Sequence, residues 1–132
     1  MRRMAQGKKL VAMIMMGLLL VGGAFSLTGC GGAAEQKVIK IGVVGPESGG
    51  AAQLGEGQRK AVQMGVDEIN AKKAAGDWKV EVFFEDDEGN PTKSASATNK
   101  LIQQSKVNVI IGAIHSSATL ADMVVTARAG IP

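Results

Sequence analysis

One cysteine, one histidine, one tryptophan, three phenylalanines and no tyrosine stand in 132 residues. The single cysteine, Cys30, excludes a disulfide within the chain. The single histidine, His115, has no second His to complete a zinc site, and Ser116 beside it does not make a catalytic triad. Trp78 and the three Phe are too few to form a platform on which bases stack. No acidic residue precedes Glu35, and that absence is local. Once residues 1–29 are set aside, eleven Lys and Arg face twelve Asp and Glu, so the basic balance belongs to the first segment and gives no reason to expect a nucleic-acid partner.

That first segment has a basic start, Arg2, Arg3, Lys8 and Lys9, then an apolar run from Leu10 to Leu27 that ends in Leu27-Thr28-Gly29-Cys30. Basic start, apolar middle and small residues before a cut make a secretory signal. The run is barely long enough to span a bilayer, which takes roughly 20 apolar residues. Leu, two small residues and Cys resemble the lipobox of bacterial lipoproteins. The resemblance implies cleavage before Cys30 and lipidation of its thiol, placing the chain on the outer side of a membrane. The expected organisation is a signal over 1–29, a lipidated Cys30 with a short tether to residue 36, and one domain over 37–132.

Within that domain strand and helix patterns alternate. Val38–Val44 is short, β-branched and almost continuously apolar, as a strand covered on both faces should be. Gly45–Gly57 reads as loop, and a helix is predicted from about Gln58 to Ala75, with Val62, Gly65, Val66 and Ile69 on one face. Trp78–Glu85 alternates apolar and polar and predicts an edge strand with one wetter face. Pro91 suits the first turn of a second helix reaching about Gln104, burying Ala95, Ala97 or Thr98, Leu101 and Ile102. Val107–Ile111 predicts a second buried strand, and Ser116 or Ser117 a cap for a third helix ending at Ala129. Ile131-Pro132 would open a further strand. Short connections imply parallel strands with right-handed crossovers, an α/β doubly wound sheet in the order 2-1-3.

In such sheets ligands sit beyond the carboxyl ends of the strands, here between Gly45–Leu54 and Ala113–Thr119. Ser116, Ser117 and Thr119 lie where a strand ends and a helix begins, with unpaired N–H groups and a positive macrodipole to hold a carboxylate. The same residues also suit a plain helix cap. Gly50-x4-Gly55 is followed by Glu56-Gly57, where a phosphate loop needs Lys and then Ser or Thr, and a dinucleotide fingerprint lacks its third glycine. Glu85-Asp86-Asp87-Glu88 lacks the ligand spacing of a calcium loop and reads as a solvated strand end. No cofactor and no metal are expected, and no catalytic constellation emerges.

Ile39–Gly49, Gln53–Lys72 with its Asp67-Glu68-Ile69-Asn70 ending, Glu85-Asp86-Asp87 with Asn90-Pro91, and Ile110-Ile111-Gly112 with Ser116-Ser117-x-Thr119 together resemble the Leu/Ile/Val-binding receptors of ABC importers. The likeness implies a type I periplasmic-binding-protein fold, two doubly wound lobes hinged around an amino acid, of which residues 37–132 are an incomplete first lobe. It implies that Ser116 holds the ligand carboxylate and that Leu54 stands where some members place an aromatic wall over the ligand side chain. A small amino-acid ligand and an ABC permease are the implied partners, with the membrane reached through the lipid anchor. Some members link the positions of Gly89 and His115 by a disulfide, which this chain cannot form. Members of the family are several-fold longer, so the sequence reads as a partial one whose third strand has an unpaired edge. Receptors of the same fold for amides, urea or aromatic acids, a lipid-anchored sensory domain and an exported hydrolase are the alternatives.

Overall fold

The computed structural model describes residues 36–132; the signal, Cys30 and the tether up to Glu35 lie outside the described residues. The elements are β1 (Val38–Gly45), a 3-10 turn (Gly49–Ala51), α1 (Ala52–Ala71), β2 (Lys79–Asp86), α2 (Pro91–Lys100) running on as a π-helical turn (Leu101–Ser105), β3 (Val109–Ile111) and α3 (Ser116–Ala129). The three strands are parallel in the order β2-β1-β3, with Val38 to Gly45 registered on Lys79 to Asp86, and Ile41 to Val43 on Val109 to Ile111. This is the expected α/β sheet.

Alternation along the strands assigns the two faces. On one, Val80 and Val66 of α1 are buried, Asn70 of α1 exchanges two hydrogen bonds with the Val80 backbone at 2.8 and 2.9 Å, and the Arg59 guanidinium stacks 4.0 Å from the Phe84 ring centroid. On the other, Val44 joins Ala97, Leu101, Ile102 and Val107 in the main core, with Phe83, Ile110, Val125 and Ile131 packed on it. Helices therefore cover both faces.

Helix α1 starts six residues before the sequence signals place it. Gly55, inside the segment read as loop, serves close approach instead. A Cβ on Gly55 would lie 2.0 Å from the Pro46 carbonyl oxygen, so only glycine lets the helix pack against the end of β1. The helix ends at Ala71 instead of Ala75, because Asn70 is tied to β2 and the chain must turn back through Lys73 and Gly76, both at positive φ. In α2 Ala97 and Thr98 are buried as expected, but the third buried residue is Ser94, and Ala95 is only partly covered. The register is set by a polar bond to α3, which apolar periodicity cannot reveal.

Strand β3 is shorter and more open than the predicted Val107–Ile111, and Ile111 is 38% exposed. Asn108 accounts for the difference: its amide donates to Lys40 O at 2.7 Å, and its side-chain oxygen accepts from Lys40 N at 2.8 Å, replacing a ladder carbonyl. Nor is the outer edge of β3 wholly unpaired. After α3 the chain returns alongside, and Ile110 N donates to Pro132 O at 2.8 Å.

Candidate functional site

Parallel pairing of β1 with β3 sends both of their following loops out at the same end of the sheet. Gly112 shapes the β3 side of this crevice, since a Cβ there would lie 2.2 Å from the Val44 carbonyl oxygen, and its φ is +141°. Beyond it His115 is the N-cap of α3, in extended conformation, and Ser116 is the first helical residue. This corrects the expectation that Ser116 or Ser117 caps the helix. His115 supplies no side-chain cap, so the first amides of α3 meet no side-chain acceptor there. Helix α2 shows the contrast: Asn90 accepts from the amides of Thr92 and Lys93 at 2.9 and 3.1 Å.

Ser116 and Ser117 are exposed, and Thr119 is half-buried. The Thr119 hydroxyl points back into its own loop, within 2.9 Å of Ala113 O and 3.2 Å of His115 O. Its proton is engaged there, so Thr119 braces the loop and offers a ligand only lone pairs. Leu54 lies in the first turn of α1, across the loop that follows β1, and is 56% exposed. The two loops expected to border the site thus leave the sheet at the same end, and how they are held is not legible in the sequence.

The main support is Asp86, at the end of β2. One of its oxygens accepts from the amides of Glu47 and Glu88 at 2.8 Å each and of Ser48 at 3.3 Å, and the other accepts the Ser48 hydroxyl at 2.5 Å. Partial burial works against the charge, but the Ser48 hydroxyl and the three amides outweigh it and hold the carboxyl below its ordinary value. Glu47 in turn pairs with Arg59 of α1. Residues 85–88 are therefore an organised joint, and the reading of a solvated strand end is corrected. Asp87 is fully buried, with one oxygen accepting the Gly89 amide at 2.7 Å.

Asp122 of α3, 3% exposed, accepts the Ser94 hydroxyl of α2 at 2.8 Å. Desolvation raises its pKa; the Ser94 hydroxyl pulls it back, as does Thr98 from a looser position without a well-formed hydrogen bond, while the Asp87 charge raises it further. Gly89 and His115 are in contact, for a Cβ on Gly89 would lie 3.0 Å from His115 Cε1. These are the two positions that the resemblance links in some members.

A family profile described as periplasmic binding protein matches residues 38–132. An amino acid binding protein of Pseudomonas aeruginosa is 30% identical over 93 residues, 70% of this chain and 25% of that protein. The substrate-binding protein LivJ of a branched-chain amino acid transporter from Streptococcus pneumoniae, solved with isoleucine, is 39% identical with a TM-score of 0.66, over 73% of this chain and 28% of that one. A solute-binding protein of an ABC transporter from R. palustris, solved with benzoate, is 34% identical with a TM-score of 0.58, over 72% of this chain and 26% of that one. The chain spans about a quarter of the length of the relatives it matches. With its three-stranded parallel sheet, helices on both faces and matching profile, the chain belongs to the periplasmic binding protein family.

Proposed function

We propose that the chain is the first-lobe part of an extracytoplasmic receptor that delivers a branched-chain or related amino acid to an ABC permease, and that it performs no catalysis. The observation that carries this is the open N-terminus of α3. Its first-turn amides lack a side-chain cap, and the exposed Ser116 and Ser117 hydroxyls stand beside them. A ligand carboxylate completes such a terminus, taking hydrogen bonds from amides and hydroxyl with the helix dipole behind them. Ser116 is the residue we assign to that contact, with Ser117 beside it. Thr119 holds the loop, and Leu54 lies against the ligand side chain.

A benzoate-bound relative favours a second reading, an aromatic acid held through the same carboxylate. Leu54 discriminates poorly between the two, since an aliphatic wall accepts either side chain. Calorimetric titration of the whole polypeptide with leucine, isoleucine, valine, leucinamide and benzoate separates them. Binding of the amino acids with loss for leucinamide supports carboxylate capture. Binding of benzoate alone selects the second reading, and equal binding of leucine and leucinamide removes Ser116 from the contact.

The leader and the sequence Leu27-Thr28-Gly29-Cys30 support export and lipid anchoring through Cys30. Among the described residues no helix is long and apolar enough to cross a membrane.

A further inference from the structure

The crevice occupies the carboxyl end of the sheet, and the opposite end has chemistry of its own. Because all strands are parallel, their N-terminal ends and the C-terminal ends of all helices share one face. The chain enters the fold there, at Gln36, six residues after Cys30. Lys37 precedes β1, Trp78 precedes β2 and Lys79 opens it, Lys73 follows α1, Lys106 precedes β3, and Arg128 lies in the last turn of α3.

Trp78 is the single tryptophan of the chain and is 46% exposed, an unusual place for so large an apolar surface. The Lys37 ammonium lies 5.6 Å from the centroid of its ring, which presents the indole and a cation together. Beside it Gln36, Asn70, Lys73 and Asp77 border a cavity of about 320 Å³. Lys79 and Lys72 are neutralised by Glu81 and Glu68. Among the described residues no ion pair engages Lys37, Lys73, Lys106 or Arg128, all of them exposed, and Asp77 is the opposing charge beside Trp78. Three helix C-termini contribute roughly half a negative charge each, which reduces the positive excess without cancelling it.

We propose that this face rests on an anionic phospholipid surface, with Trp78 at the headgroup level and the lysines and Arg128 against the lipid phosphates. Tryptophan is at home at that depth, having an apolar body and a polar N–H. The basic residues match the sign of the surface, and each contributes about a fivefold gain in partition. The proposal rests on the reading of Cys30 as a membrane anchor. A tether of six residues reaches roughly 20 Å when extended, so an anchored Cys30 keeps this face within contact of the bilayer.

The test uses the full chain isolated from bacterial membranes and placed on vesicles of phosphatidylglycerol with phosphatidylcholine, or of phosphatidylcholine alone. Trp78 reports by itself. On anionic vesicles its emission moves to shorter wavelength and acrylamide quenching falls; both changes are absent on the neutral vesicles and reverse in high salt. Lys73→Gln and Lys106→Gln, both at exposed sites, each weaken the response roughly fivefold. Emission that is the same on both vesicle types overturns the proposal, as does a Trp78 already shielded without lipid. Intact mass distinguishes the two readings: acylated Cys30 with an unshielded Trp78 removes docking, whereas unmodified Cys30 with a shielded Trp78 removes the anchor and leaves docking on charge alone.

Discussion

Asp86 Oδ1 accepts the Glu47 amide at 2.8 Å across 39 residues of sequence, joining the end of β2 to the loop that follows β1. The loop that follows β1 thereby depends on a carboxylate at the end of the neighbouring strand. Four donors converge on this one group, and none of them would be satisfied by an apolar substitute.

Asp86→Asn keeps the shape and removes the charge, so the amides of Glu47, Ser48 and Glu88 lose a charge-assisted acceptor. A loss of about 1–2 kcal/mol is expected in chemical denaturation of the whole polypeptide. The sign with pH follows from the lowered folded-state pKa. The contribution of Asp86 is present above its ordinary value of 3.8 and is lost as pH falls through the lower folded value. The Asn variant should therefore differ most from the parent near neutrality and converge with it in acid.

Asp122 behaves in the opposite sense. Its folded-state pKa is raised, so the stabilisation it gives is full below the ordinary value of 3.8 and is lost as pH rises through the folded value. Asp122→Asn retains an acceptor for the Ser94 hydroxyl and removes a buried charge near Asp87. It should raise stability near neutral pH by about 1 kcal/mol and flatten the pH dependence above the ordinary carboxylate range. Thermal unfolding across pH checks this. A variant less stable than the parent at neutral pH would show that the charge is itself needed.

The patterns of residues 38–44, 78–85 and 107–111 give three strands, and the short connections between them give parallel order and sheet class. That the loops after β1 and β3 share one end of the sheet was legible too, following from parallel topology. Its supports were not. Gly55 and Gly112 look like turn glycines in sequence, but what they accommodate is a carbonyl brought close by the fold. Asp86 and Asp87 look like solvent-facing charges because their partners are backbone amides, which carry no residue signature. Ser94 finds Asp122 28 residues away, and no local period encodes that pairing.

Processing is tested most directly at Cys30. Expressed in a bacterium, the chain should begin at Cys30 and carry acyl groups on it, and Cys30→Ala should abolish acylation and retain the leader. Mass spectrometry of the isolated protein decides. A mature start elsewhere, or an intact leader on the unsubstituted chain, would remove the lipoprotein reading.

Recognition at Ser116 gives the sharpest separation between a ligand contact and a structural role. Its hydroxyl is exposed, and His115, not Ser116, is the N-cap. Removing the hydroxyl therefore costs α3 no capping bond, and Ser116→Ala should change the melting temperature little. If Ser116 donates to the ligand carboxylate, the whole polypeptide should lose about 1.5–3 kcal/mol of binding, roughly ten- to a hundredfold in affinity. Leu54→Ala should instead alter the ranking of leucine, isoleucine and valine while dependence on a free carboxylate persists. Thr119→Val should lower stability before it lowers affinity, because its hydroxyl braces residues 113–115. Calorimetric titration beside thermal unfolding resolves all three. Ser116→Ala binding as tightly as the parent would place the carboxylate elsewhere and leave the uncapped amides of α3 as the next contact to test.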